Sequence, residues 1–274
     1  MKAAAIRKLR RTLRDDRPAL GLWVTLESPG VTEMAVGLGL DWVVIDAEHG
    51  HLDWKEIAEH IRAAARSETV ALVRIVELNA GLIKRALDLG ADGVVIPYAE
   101  TAEQLERAVS YARYPTEGVR GVGAERATGW GQAFAEHTAE ANDHVLVVPI
   151  IETVRTAAQV PAMSRVPGAE LFFFGPADFS ATAGFRGQWE GPGVGEAILA
   201  SKDLLRAAGK HCGVVAIDDD DVLRRGDQGF RMIAVGLDSG LLIRSIRSAL
   251  KAAGRDCTIS ADMMPVPVFP VPLE

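Results

Sequence analysis

Eight short apolar runs, each followed by a stretch with helical spacing, constrain this chain more than any other feature of its sequence. The runs are Leu20–Leu26, Trp42–Asp46, Val70–Ile75, Gly93–Tyr98, Val145–Glu152, Leu171–Pro176, Gly213–Ile217 and Met232–Leu237. Runs that stay apolar instead of alternating with polar residues mark parallel strands covered on both faces. A strand–helix order repeated eight times predicts an α/β protein built as a closed (β/α)8 TIM barrel, since open doubly wound sheets more often stop at about five or six strands.

The intervening segments carry helix signals. Asp53-Trp54-Lys55-Glu56 and Thr101-Ala102-Glu103-Gln104 have the form of capping boxes, in which a side-chain oxygen takes an orphan amide and the residue three later reaches back. Leu82–Leu89 and Ala102–Tyr111 follow with apolar residues at three- and four-residue intervals. Two connections are long: Pro115–Asn142, and Gly184–Gly195, which holds five glycines and Trp189. Long connections at a barrel mouth are usually lids or binding loops.

A chain of 274 residues with no Pro/Gly/Ser-rich linker fits one barrel domain, expected over residues 1–264. Residues 265–274 alternate Pro with Val and Phe and are expected to form an extended arm. With 30 basic and 37 acidic residues, a net charge of −7 and no long basic run, nucleic acid is not an expected partner. Cys212 and Cys257 have neither zinc-site spacing nor the number for a disulfide framework, which points to the cytoplasm. Met1–Arg14 lacks the continuous apolar stretch of a secretory leader, and no segment approaches the roughly 18 apolar residues of a membrane span.

In a barrel of this kind the strand ends share one face, and that face carries the chemistry. Asp46, Glu48 and His49 close the second run, Arg74 the third, Glu152 the fifth, and Asp178 follows the sixth. Glu152 and Asp178 are suited to share a hard divalent cation with open positions for water and substrate oxygens; alternatively they cap the helices that follow. His49 is of the residue type that moves protons in catalysis and has Asp46 close by in sequence; alone, it would be a solvated loop side chain. Arg74 suits an oxyanion, or an ion pair with Glu48 or Asp46. Asp88 ends a helix, where its charge opposes the dipole and calls for a partner: Arg85 nearby, or a catalytic His or Arg, one from a neighbouring subunit included.

The strings Gly21-Leu22-Trp23, Asp41-Trp42-Val43-Val44-Ile45-Asp46-Ala47-Glu48-His49-Gly50, Val73-Arg74, Leu87-Asp88-Leu89-Gly90, Gly118-Val119-Arg120-Gly121-Val122-Gly123, Ile151-Glu152-Thr153 and Gly175-Pro176-Ala177-Asp178 resemble the HpcH/HpaI family of hydroxy-oxo-acid aldolases, in order from about Gly21 to Ala249. The resemblance implies a class II pyruvate aldolase. Glu152 and Asp178 would be ligands of Mg²⁺, Mn²⁺ or Co²⁺, and Arg74 would neutralise the enolate oxygen. His49, oriented by Asp46 or Asp88, would serve the C4 hydroxyl through a metal-bound water, and amides around Ala177 and Asp178 would hold the pyruvate carboxylate. It also implies a homo-hexamer, a trimer of dimers, with the last helix exchanged between subunits. Substrate contacts are expected from Trp23, Gly175, Pro176, Ala177, Arg120, Ile150 and Trp189, the loops reading a small aldehyde. Where relatives tend to carry Gln on the fifth strand this chain has Ile150, two residues before Glu152 and so on the same face.

Physical chemistry agrees with a metal mechanism, because the alternative electron sink is a lysine Schiff base and Lys84 and Lys202 fall on helices. Two other functions share the machinery: an oxaloacetate decarboxylase or macrophomate-synthase-like enzyme, and a silent barrel that only binds an oxo acid.

Overall fold

In a computed structural model, which describes residues 1–255, the eight expected strands close into one parallel barrel in chain order. They are β1 (Ala19–Val24), β2 (Trp42–Asp46), β3 (Val70–Arg74), β4 (Gly93–Ile96), β5 (Leu146–Ile151), β6 (Leu171–Phe174), β7 (His211–Val215) and β8 (Met232–Leu237). β8 pairs in parallel with β1 and leaves no open edge. The helices are α1 (Ala3–Arg14), α2 (Pro29–Gly37), α3 (Trp54–Ala64), α4 (Ala80–Asp88), α5 (Ala102–Ala112), α6 (Phe134–His144), α7 (Val154–Met163), α8 (Pro176–Thr182), α9 (Val194–Ala207), α10 (Asp219–Asp227) and α11 (Asp238–Ala252). One compact unit spans Met1–Asp238 and holds the barrel, and a second begins at Ser239. The expected arm at 265–274 and Cys257 lie outside the described residues.

Of the two expected capping boxes, the second is complete: the Thr101 side chain accepts from the Gln104 amide while Gln104 reaches back to the cap. Asp53 stands at the N-cap of α3 but makes no side-chain bond there, so that box stays open. The long Pro115–Asn142 connection is not loop throughout. It contains a 3-10 turn at Arg126–Thr128 and most of α6, whose few buried residues left only a faint apolar period.

α1 is a helix beyond those expected, formed by the basic, partly apolar start. Ala5, Ile6, Leu9 and Leu13 face the core, and Lys2 ties the segment down: its amide donates to Asp92 Oδ1 at 2.7 Å and its Nζ to the carbonyls of Ala64 and Thr69. Thr69 and Asp92 precede β3 and β4, so α1 covers the N-terminal end of the barrel, opposite the strand ends that carry the candidate chemistry.

Inside, side chains from alternate strand positions fill the space. Trp42 is fully buried, donates from Nε1 to the Ala19 carbonyl at 3.1 Å and meets Phe173 edge-on with centroids 6.0 Å apart. Its size explains Gly21 on the neighbouring strand, where a Cβ would come within 2.1 Å of the indole.

Candidate active site

The period-two pattern of the inner face ends on charge. Trp42 and Val44 lead to Asp46, Val70 and Leu72 to Arg74, and Leu146, Val148 and Ile150 to Glu152. Each next inward position lies at the mouth, where a core side chain has no further layer above it and a charged one can meet a ligand.

Asp46 and Arg74 are register partners across β2 and β3. Arg74 Nε donates to Asp46 Oδ1 at 2.8 Å and Nη2 donates to Oδ2, while Nη1 lies 2.8 Å from Glu48 Oε2, a charge contact out of hydrogen-bond alignment. Trp23 Nε1 donates to Asp46 Oδ2 at 2.9 Å, and the Arg74 guanidinium lies 5.0 Å from the Trp23 ring centroid. Burial pushes the Asp46 carboxyl up, but the hydrogen bond and charge of Arg74 outweigh it and hold the group below its usual range. Burial pulls Arg74 down and Asp46 more than reverses this, so the guanidinium stays charged. Both Asp46 and Glu48 therefore pair with Arg74, as the ion-pair alternative expected. The expected orientation of the His49 ring by Asp46 is absent: Asp46 Oδ1 accepts instead from the main-chain amides of Glu48 and His49 at 3.0 and 3.2 Å. Arg74 and Trp23 already occupy the remaining acceptor positions.

Glu152 is 1% exposed and accepts from the Tyr98 amide at 2.7 Å. Burial above all pushes its carboxyl up to about 8; the Tyr98 amide opposes this, and Glu48 and Asp178 add to it. Tyr98 presents its amide from a left-handed backbone with φ 49°. Gly175, after β6, leaves room for the carboxylate: a Cβ there would lie 2.9 Å from Glu152 Cβ and 3.3 Å from Oε2. Asp178 follows in the first turn of α8, half-buried.

These groups open on one cavity of about 230 Å³ lined by Trp23, His49, Arg74, Ile150, Glu152, Phe173, Phe174, Gly175, Pro176, Ala177, Asp178, Trp189, Val215 and Leu237. Among the described residues no three His, Cys, Asp or Glu side chains gather as a complete metal cage. Glu152 and Asp178 supply two carboxylates, and a buried carboxylate made harder to ionise by its acidic neighbours is an environment that a cation relieves. The donor set fits a hard divalent ion that keeps several positions for water and substrate.

Asp88 and Arg120 are not in this cavity. Arg120 Nη2 donates to Asp88 Oδ1 at 2.7 Å, and its guanidinium lies 4.5 Å from the Tyr114 ring centroid. Arg120, and not Arg85, answers the charge of Asp88; Arg85 instead lies over the ring of Trp54.

Sequence reasoning missed the apolar walls Phe173, Val215 and Leu237 and the amide of Tyr98. The inward period would have found Phe173, two residues before Gly175, whereas a main-chain amide has no sequence signature.

The sequence pattern described as HpcH/HpaI aldolase/citrate lyase matches residues 19–245. The chain is 34% identical over 252 residues to a hydroxypyruvate/pyruvate aldolase of Pseudomonas aeruginosa, covering 91% of this chain and 92% of that protein. It is 35% identical over 235 residues to a 4-hydroxy-2-oxovalerate aldolase of Novosphingobium aromaticivorans, covering 85% and 89%. The crystal structure of an HpcH/HpaI aldolase/citrate lyase family protein from Burkholderia cenocepacia J2315 matches with a TM-score of 0.86 and 33% identity, covering 90% of this chain and 99% of that one.

Proposed function

Because the chain belongs to the HpcH/HpaI aldolase/citrate lyase family, we propose that it is a divalent-metal, class II aldolase. It reversibly splits 4-hydroxy-2-oxo acids into pyruvate, or a close pyruvate analogue, and a small aldehyde. One arrangement supports this above the others: buried Glu152, pushed up to about 8 by burial and acidic neighbours, lines the same cavity as Asp178 and Arg74. The names of the aldolase relatives agree with it.

Glu152 and Asp178 would hold Mg²⁺, Mn²⁺ or Co²⁺, which when bound draws electron density from a 2-oxo group. The amides of Ala177 and Asp178, in the first turn of α8 where helical N–H groups lack intrahelical acceptors, bind the substrate carboxylate. Arg74, kept charged and fixed by Asp46, stabilises negative charge on the C2 oxygen as the C3–C4 bond opens. His49, exposed and lining the mouth, takes the proton of the C4 hydroxyl in cleavage and returns it in addition. Lys84 and Lys202 lie on α4 and α9, away from the strand ends that a Schiff-base lysine would need.

The enzyme works as a cytoplasmic homo-hexamer, a trimer of dimers that exchanges the last helix, and Asp88, held by buried Arg120, faces a neighbouring subunit's site. Among the described residues no helix is long and apolar enough to cross a membrane. Chelation should abolish turnover of 4-hydroxy-2-oxo acids, and Mg²⁺, Mn²⁺ or Co²⁺ should restore it. Turnover that survives exhaustive chelation, or a covalent adduct trapped by borohydride, overturns this function.

A further inference from the structure

Trp189 forms one wall of the cavity, yet it comes from a segment, 183–193, that has neither helix nor strand. A cleft of about 490 Å³ borders the end of that segment at Glu190, Pro192, Glu196 and Leu199. Trp189 packs against the barrel core, the Phe185 amide donates to the Ser180 carbonyl at 2.8 Å, and two further contacts flank Trp189 itself. Ser180 on α8 makes one: its Oγ donates to the Trp189 carbonyl at 3.2 Å and accepts from the Gly191 amide at 3.0 Å.

The other contact is an ion pair. Arg225 on α10 is 1% exposed, and its Nη1 donates to Glu190 Oε1 at 2.6 Å. Its remaining contacts are weaker: Gln228 Oε1 at 3.3 Å, and Asp221 Oδ1 at 3.0 Å from Nε, out of hydrogen-bond alignment. A guanidinium removed from water is held by its best-aligned carboxylate, and here that carboxylate is Glu190. Arg225 is itself anchored, because Asp221 in the same helix accepts from the Ile217 amide at 3.0 Å and donates its own amide to Asp218 at 2.8 Å. Residues 216–218 join β7 to α10, and Val215 at the end of β7 lines the same cavity. Glu190 is adjacent to Trp189 in the chain, so fixing one fixes the other.

We propose that Glu190 and Arg225 are positioning residues for aldehyde recognition: their ion pair clamps the glycine-rich segment to α10, so that Trp189 stands as a fixed wall against the incoming aldehyde. This rests on the aldolase function proposed above. The clamp acts on the variable partner and not on pyruvate, whose proposed contacts, Glu152, Asp178, Arg74 and the start of α8, lie on other elements.

The metal-loaded enzyme and its E190Q, W189A and W189A/E190Q variants are compared in two assays, exchange of pyruvate C3 protons in D2O and aldol addition across aldehydes of increasing size. E190Q should raise the KM for aldehyde about tenfold and reorder the aldehydes, leaving proton exchange within about twofold. In the W189A background, E190Q should add less than about twofold, because the wall it positions is gone. R225K, which keeps the charge without the planar fork, should fall between the unaltered enzyme and E190Q. Unchanged aldehyde KM and ranking in E190Q, additive effects in the double variant, or equal losses in both assays overturn the clamp. Failure of the unaltered enzyme to exchange pyruvate protons overturns the aldolase function, and the clamp with it.

Discussion

Asp46 and Arg74 stand at the same register position of adjacent strands, and the Asp46 carboxylate gathers both guanidinium bonds together with the Trp23 indole and two main-chain amides. Arg74→Ala should therefore act twice. Aldol cleavage and pyruvate C3 proton exchange should both fall by about a thousandfold, since both need the same oxyanion stabilised. Unfolding in urea should show a loss of about 3 kcal/mol, because Asp46 is left with its charge buried. Arg74→Lys should recover part of the stability but little of the rate, as one ammonium cannot span both oxygens. Proton exchange that persists in Arg74→Ala would remove the role given to this side chain.

Gly175→Ala should damage cation binding more than folding. The added methyl would sit 2.9 Å from Glu152 Cβ and 3.3 Å from its carboxylate, so Glu152 must turn aside. Calorimetric titration with Mn²⁺ should show affinity weakened by about 10- to 100-fold, with a thermal midpoint lowered by only a few degrees. Unchanged Mn²⁺ affinity would mean that Glu152 is not a ligand.

His49→Ala separates the two halves of the reaction. His49 lines the mouth and is exposed, so its loss should reduce aldol cleavage by about 100-fold while pyruvate proton exchange changes much less. Equal losses in the two assays would contradict a proton role confined to the C4 oxygen.

The acid side of the stability profile should carry the signature of His137. Burial first, with the charge of Arg120 among the further causes, lowers its ring from 6.5 to about 4. The folded state thus holds it neutral where the unfolded chain takes up a proton. Its contribution is fully present above about pH 6.5 and is lost as pH falls towards 4. After allowance for solvent screening, His137→Gln should flatten the pH dependence between pH 7 and 4.5 by about 1 kcal/mol. Parallel urea-melt profiles for the two proteins would show that His137 does not contribute.

Much of this is legible in the sequence. Strands such as Val70–Arg74 announced themselves because burial on both faces demands unbroken apolar runs, and Arg74, Glu152 and Asp178 stood out because such runs seldom end on charge without cause. Thr101 and Gln104 were readable as a cap since both partners lie within one turn. Asp53 offered the same spelling without the bond, because spacing does not determine where a side chain points. Contacts between distant segments left no trace: Asp88 with Arg120, Glu190 with Arg225, and the Tyr98 amide with Glu152 all depend on how the barrel brings strand ends and loops together. α1 carried the signal as well: Ala5, Ile6, Leu9 and Leu13 recur at helical spacing, with arginines and a lysine on the opposite side, the pattern of a helix with one apolar face.

That helix also sets a timetable. α1 is made before any strand, yet its amide anchor is Asp92, 90 residues later, and Arg10 binds Glu170, 160 residues later. This helix thus gains its native partners only after β3, β4 and β6 exist. Closure over such long separations makes assembly slow relative to a chain of local contacts, and until then the apolar side of α1 has nothing of its own to cover it.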